Sequence, residues 1–170
     1  MLFAPLLFIF FVPVALNAGI PRAGKVLTLH TFAALMGWSS ATIFAIYTMG
    51  SIVTAFMGAA VLFGTMSFYG YFTKQSLDSI GKYCFVGLIA IIIASIINIF
   101  IGSTVMQMVI SAVAIIIFLG LTAYDTQQIR EMVSDGDAGD SAELSGALTL
   151  YLDFINLFLS LLQLFGGKKE

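Results

Sequence analysis

Between Cys84 and Tyr124 the chain contains no Asp, Glu, Lys or Arg. A helix needs about 20 apolar residues to cross the hydrocarbon core of a bilayer, so this one stretch has room for two crossings. The N-terminal part is similar: Arg22 and Lys25 are the only charges before Lys74. Charge is scarce throughout. Of 170 residues, 60% are hydrophobic and 9% charged, whereas a soluble domain carries about 25% charged residues. Seven Lys/Arg and nine Asp/Glu cannot coat the surface of a globule of this length. A soluble enzyme is therefore excluded, and the chain reads as a polytopic membrane protein with a single transmembrane domain over residues 1–170. A net charge of −2 and the absence of a basic stripe exclude nucleic acid as a partner. The single cysteine, Cys84, rules out an intramolecular disulfide.

Six spans can be drawn. The first is Leu2–Ala18. It has no basic segment before it and is expected to be a span, not a cleaved signal peptide. The others are Leu27–Tyr47, Ile52–Phe72, Tyr83–Ile101, Thr104–Tyr124, and a last one that follows an acidic loop, Glu131–Glu143, and stops at Gly166-Gly167. Asp140 and Glu143 have the spacing of a capping box at the start of that last helix. Backbone polar groups find no water inside a bilayer, and nothing alternates with the period of a barrel strand, so the expected fold class is an all-α membrane helix bundle. Ala55/Ala59 and Ala60/Gly64 have the small-xxx-small spacing that lets helices approach closely.

Lys and Arg mark the cytoplasmic loops. Arg22 with Lys25, Lys74 with Lys82, and Arg130 fall in alternate connections, while those near Gly50 and Gly102 carry no charge. The acidic loop is then cytoplasmic. This orientation puts Met1 outside with no helix to carry it there, and it puts Lys168 and Lys169 outside against the rule. One further helix before Met1 would repair the first of these, so a natural first span is expected to be missing.

The last span carries the chemistry. Ser145, Thr149, Asp153, Asn156, Ser160 and Gln163 recur every three or four residues and form one polar face of a helix. Asp153 stands near the middle of that span. An ionised Asp at the bilayer centre costs about 2.5–3.5 kcal/mol on insertion scales, so it is expected to face the bundle interior or a wet cavity. Either it hydrogen-bonds a neighbouring helix in its neutral form, or it lines a polar path. Asp125, at the cytoplasmic end of the fifth span, is the second candidate. If the two helices pack, Asp125 and Asp153 share a site, cannot both ionise cheaply, and titrate as a unit. Losing the shared proton leaves a negative oxygen site of the kind calcium prefers. The pair is thus a candidate pH-sensing gate and a candidate calcium contact.

Other chemistry is disfavoured. Asp135-Gly-Asp-Ala-Gly-Asp140 puts Gly139 and Asp140 where a calcium loop needs an oxygen ligand and a glycine. His30 is the only histidine, which excludes a two-histidine zinc protease, and no histidine follows the Gly37-Trp38-Ser39-Ser40 segment to serve a serine protease. His30 is expected to be a packed or interfacial side chain. An intramembrane aspartyl protease would match Tyr124-Asp125. It would also need a Gly-x-Gly-Asp motif where this chain has Leu150-Tyr-Leu-Asp153, and a later Pro-Ala-Leu motif where it has no proline. The chain is not expected to be an enzyme, and no cofactor is expected.

Gly120-Leu-Thr-Ala-Tyr-Asp125-Thr-Gln-Gln-Ile-Arg130 and Ala147-Leu-Thr-Leu-Tyr-Leu-Asp153-Phe-Ile-Asn-Leu-Phe158 closely resemble the bacterial branch of the Bax inhibitor-1 (transmembrane Bax inhibitor motif) family. So do Ala34-Leu-Met-Gly-Trp-Ser-Ser40, Met66-Ser-Phe-Tyr-Gly-Tyr-Phe-Thr-Lys74 and Ala94-Ser-Ile-Ile-Asn-Ile-Phe100. The resemblance covers nearly the whole chain and implies seven helices with the last one central. It also implies a pH-sensitive calcium leak governed by an Asp pair, matching Asp125 and Asp153, which a basic residue can join. Arg22 is the nearest candidate for that residue. Some bacterial relatives instead bind and restrain an ATP-dependent membrane protease, and this is the alternative function. The implied location is the bacterial inner membrane. Against the family pattern, the first helix and the cytoplasmic segment before it are expected to be missing.

Overall fold

The computed structural model describes residues 21–134 and 139–169. The first expected span, Leu2–Ala18, and most of the aspartates of the acidic loop lie outside them. Among the described residues the elements are all helical: α1 Arg22–Ser40, α2 Ile43–Ile46, α3 Met49–Phe72, α4 Asp78–Ile101, α5 Thr104–Ser134 and α6 Asp140–Phe165. Taken with α2 as its continuation, α1 makes a 25-residue span, and five helical segments are long and apolar enough to cross a membrane.

The helix ends follow from local chemistry. The Thr48 hydroxyl caps α3 by accepting the Ser51 N–H at 3.3 Å. α3 then runs to Phe72, where the apolar run ends. α4 stops at Gly102, whose φ of 68° is left-handed backbone that glycine adopts without a Cβ penalty. Two boundaries differ from expectation. α5 does not end at Tyr124 but continues to Ser134, because an apolar run reports bilayer thickness and a helix can leave the bilayer carrying polar residues. α6 begins one residue earlier than the capping-box reading placed it, with Gly139 at the N-cap position and Asp140 already helical.

The helices alternate in direction. Arg22 pairs with Glu143 at 3.7 Å, and Arg130 donates to the Tyr71 and Thr73 carbonyls at the end of α3. These contacts gather the starts of α1, α4 and α6 and the ends of α3 and α5 at one end of the bundle, the Arg130 end. At the opposite, Gly102 end, the segment after α6 is stitched to α2 and α3. Thr48 N–H donates to the Gly167 carbonyl, Lys169 N–H to the Ile46 carbonyl, and Lys169 Nζ to the Phe44 carbonyl. Lys168 and Lys169 therefore lie opposite the other basic residues. Lys169 neutralises carbonyls at a helix C-terminus, a favourable place for a cation.

α6 is the most buried of the five spans and α4 the least. Leu157 and Leu162 of α6 are almost fully enclosed, packed with Ala55 and Ala59 of α3 and Phe118 and Leu121 of α5. A second cluster joins Phe32 and Met36 of α1 to Leu148 and Leu152. The Ala55/Ala59 pair thus serves close packing, whereas a Cβ on Gly64 would meet nothing within 4 Å, so Ala60/Gly64 marks no tight contact. The tightest approach is at Gly70, where a Cβ would fall 2.1 Å from the Ala123 carbonyl oxygen. α3 and α5 touch backbone to backbone there.

Candidate functional site

The six polar residues of α6 point along one side of the helix. Their donors are largely satisfied within it: Thr149 hydroxyl to the Ser145 carbonyl at 3.0 Å, Asn156 amide to Leu152 at 2.8 Å, and Ser160 hydroxyl to Asn156 at 2.7 Å. This bonding to the preceding turn lets polar side chains sit in an apolar bundle without orphaned donors. Asp153, 4% exposed, has no such partner in its own helix. Its side chain lines the same cavity as that of Asp125 on α5.

That cavity brings the two sequence-derived carboxyls together. Among the described residues, no N–H or hydroxyl donor reaches the buried Oδ2 of Asp153. Two ionised carboxylates have no hydrogen to share, so a direct bond between them would require a proton, which would also remove one of two like charges from a low-dielectric place. Asp125 is interior to α5 and not at its end. Arg130, close to it in sequence, is turned away to the Tyr71 and Thr73 carbonyls and Glu131. Arg22 is brought to Glu143, about ten residues and hence about 15 Å along α6 from Asp153. The cation that lines the same cavity as the pair is Lys82, exposed on α4.

Two cavities adjoin the carboxyls and share Asp125 and Thr149 as wall residues. One, about 360 Å³, opens between α5 and α6 and is lined by Asp125, Gln128, Ser145 and Thr149. The other, about 510 Å³, lies among α4, α5 and α6 and is lined by Asp125, Thr149, Asp153 and Asn156, with Tyr124 and Lys82. Asn156 also lines a third cavity of only about 60 Å³, together with Ser160 and Gln163. Every residue of the α6 polar face thus lines one of three neighbouring cavities that share wall residues.

Some structural residues carried no clear signal in the sequence reading. Gln127, 2% exposed, donates to the Gln75 carbonyl and accepts the Leu77 N–H, each within 2.9 Å, and so holds the α3–α4 connection against α5. Gly81 admits the Tyr124 ring, whose atoms lie within 2.8 Å of where a Cβ would stand. Gln107 and Ser111 of α5 face the third cavity. Their spacing of four in an otherwise apolar run is the signal that could have found them. His30 is exposed, and its Nδ1 lies 2.8 Å from the Val26 carbonyl one turn back.

Fold and site together define a polytopic helical membrane protein with one carboxyl on its most buried helix, α6, and a second on the neighbouring α5. The chain belongs to the Bax inhibitor-1 family, whose profile, described as inhibitor of apoptosis-promoting Bax1, matches residues 1–170. Inner membrane protein YbhL of Escherichia coli K12 is 43% identical over 143 residues, covering 81% of this chain and 61% of its own length. Protein RP147 of Rickettsia prowazekii is 40% identical over 142 residues, 82% of this chain and 60% of its own. A membrane protein of Streptococcus pyogenes serotype M1 is 38% identical over 163 residues, 95% of this chain and 70% of its own. The chain spans about three-fifths of the length of the first two relatives. With five apolar helices able to cross a bilayer and the likeness to YbhL, it is an integral protein of the inner membrane.

Proposed function

We propose that the chain forms a proton-regulated leak path for calcium, with Asp125 and Asp153 as its gate. The observation that supports this reading is that Asp153, buried with an Oδ2 that no donor among the described residues reaches, shares a cavity with Asp125, which also lines a second cavity. While the pair holds one proton, a bond between the carboxyls ties α5 to α6 and closes the junction between the cavities. As pH rises through the titration of the pair, that proton leaves. The carboxylates then repel, the junction loosens, and an oxygen-rich anionic site opens to both cavities. Flux therefore increases with pH and falls on acidification.

Calcium suits this site as a passenger. A resident calcium takes six to eight oxygens. Among the described residues no group of three or more His, Cys, Asp or Glu comes together. Two carboxylates with Thr149 and Asn156 at hand provide a stepping point from which an ion can leave, and conduction requires binding of that moderate strength. Ser145, Thr149, Asn156, Ser160 and Gln163 extend the polar lining to either side.

The test is calcium uptake by proteoliposomes across a pH series. The expected result is uptake that rises between acid and neutral pH, and an Asp153→Asn variant that no longer follows pH. Unchanged uptake and pH profile in that variant would sink the gate assignment. Absence of uptake at every pH, with restraint of a co-purified ATP-dependent membrane protease, would favour the protease-modulating function instead.

A further inference from the structure

The polar path narrows a second time, at a place with no charge. At the Gly102 end, Gln163 Oε1 accepts two hydrogen bonds from α5: one from Gln107 Nε2 at 2.7 Å and one from the Ser111 hydroxyl at 3.0 Å. Gln107 is itself oriented, because its Oε1 accepts from Asn98 Nδ2 of α4 at 3.3 Å. Asn98 Oδ1 in turn accepts the Ser103 N–H at 3.2 Å. The amides are thus locked in one direction from the α4–α5 turn to α6. Gln163 and Leu159 are the wall residues common to the 60 Å³ cavity and to a fourth cavity, about 220 Å³, that adjoins the exposed Lys168, and Gln163 is the polar one of the two. The Ser111 hydroxyl has one hydrogen, shared between Gln163 Oε1 and the Gln107 carbonyl at 2.9 Å, so the Gln107 amide makes the firmer of the two bonds that a cation must part to reach the Gln163 oxygen.

We propose that Gln163, held by Gln107 and Ser111, is a second and uncharged gate, which a hydrated cation must part to travel between the carboxyl pair and the Gly102 end. This rests on the leak-path reading above. The amides do not titrate, so this gate sets the size of the leak, while the carboxyl pair sets its pH dependence. The geometry favours a gate over mere packing. A purely structural polar contact has no need of space on both sides, whereas this one separates two cavities. The smaller of these, at 60 Å³, has room for about two waters.

Two variants pull in opposite directions. Gln107→Ala removes one of the two bonds on Gln163 and opens space beside it, whereas Gln163→Leu keeps the volume and makes the wall apolar. In proteoliposomes, Gln107→Ala is expected to raise calcium uptake about five- to tenfold, the effect of losing one hydrogen bond from the closed state. Gln163→Leu is expected to lower it. Neither should move the midpoint of the pH profile, which Asp153→Asn should abolish. If both glutamine variants match the parent while Asp153→Asn alters the profile, the second gate is wrong and the carboxyl gate stands.

A readout without transport separates the remaining case. In a Cys84→Ala background, Ser160→Cys places a thiol in the small cavity. A charged thiosulfonate added from the Gly102 side should modify it several-fold faster when Gln107→Ala is also present. Equal rates would overturn the gate whatever the flux shows. Faster labelling with no calcium uptake in any variant would keep the gate and overturn the calcium reading.

Discussion

The two halves of the α6 polar face are built differently. Toward the Arg130 end the helix is bordered by cavities of about 360 and 510 Å³, and the polar groups shared with α5 there are two carboxyls. Toward the Gly102 end the adjoining cavities are smaller, about 60 and 220 Å³, and the bonds across to α5 join neutral amides and a hydroxyl. One half is roomy and, in the proposed function, tied by a contact that pH undoes. The other is tighter and is bonded by groups that do not titrate. A path controlled at both places can separate when it opens from how much it passes.

The sharpest way to break this contrast is to disturb the frame that brings α5 against its neighbours. A Cβ at Gly70 would lie against the Ala123 backbone, which, unlike a flexible side chain tip, cannot swing aside. Gly70→Val is expected to cost at least the upper part of the usual overpacking range, about 3 kcal/mol, seen as a large fall in thermal stability in detergent. An unchanged melting temperature would show that α3 and α5 have freedom to separate. Next in size is Gln127→Ala, which strips the partner from the buried Leu77 N–H and is expected to cost about 1–3 kcal/mol. Hydrogen exchange at the α3–α4 connection should then rise, with the Gln107–Gln163 network undisturbed. Thr48→Ala removes an exposed N-cap contact and is expected to cost only about 0.5–1 kcal/mol. Its effect should be confined to the Gly102 end and should leave the pH profile alone.

The legibility of these features in the sequence follows the same division. Asp153 stood out because a carboxyl in the middle of an apolar run has to be accommodated. The Gly102 turn was legible because a glycine ends the helix locally. Hydropathy, by contrast, measures the bilayer and not the helix, so α5 was cut ten residues short and Asp125 was read as a helix-end residue. The pairing of Asp125 with Asp153 was a conditional inference, because whether α5 and α6 pack depends on surfaces such as Gly146 against Ile129. Gln107 and Ser111 escaped notice inside the least charged part of the chain, where an amide costs little enough to look incidental. Arg22 was placed beside the pair by analogy alone, and its partner is Glu143, a residue whose proximity depends on how α1 meets the start of α6.

The central claim is that Asp125 and Asp153 hold one proton between them when the path is closed, and carboxyl infrared difference spectroscopy on the reconstituted protein addresses it directly. The account predicts a protonated carboxyl band at acid pH that disappears as pH rises, in step with calcium uptake, and that is absent or displaced in both Asp125→Asn and Asp153→Asn. A band that persists unchanged in either variant, or no titrating carboxyl over the range in which uptake changes, would contradict it.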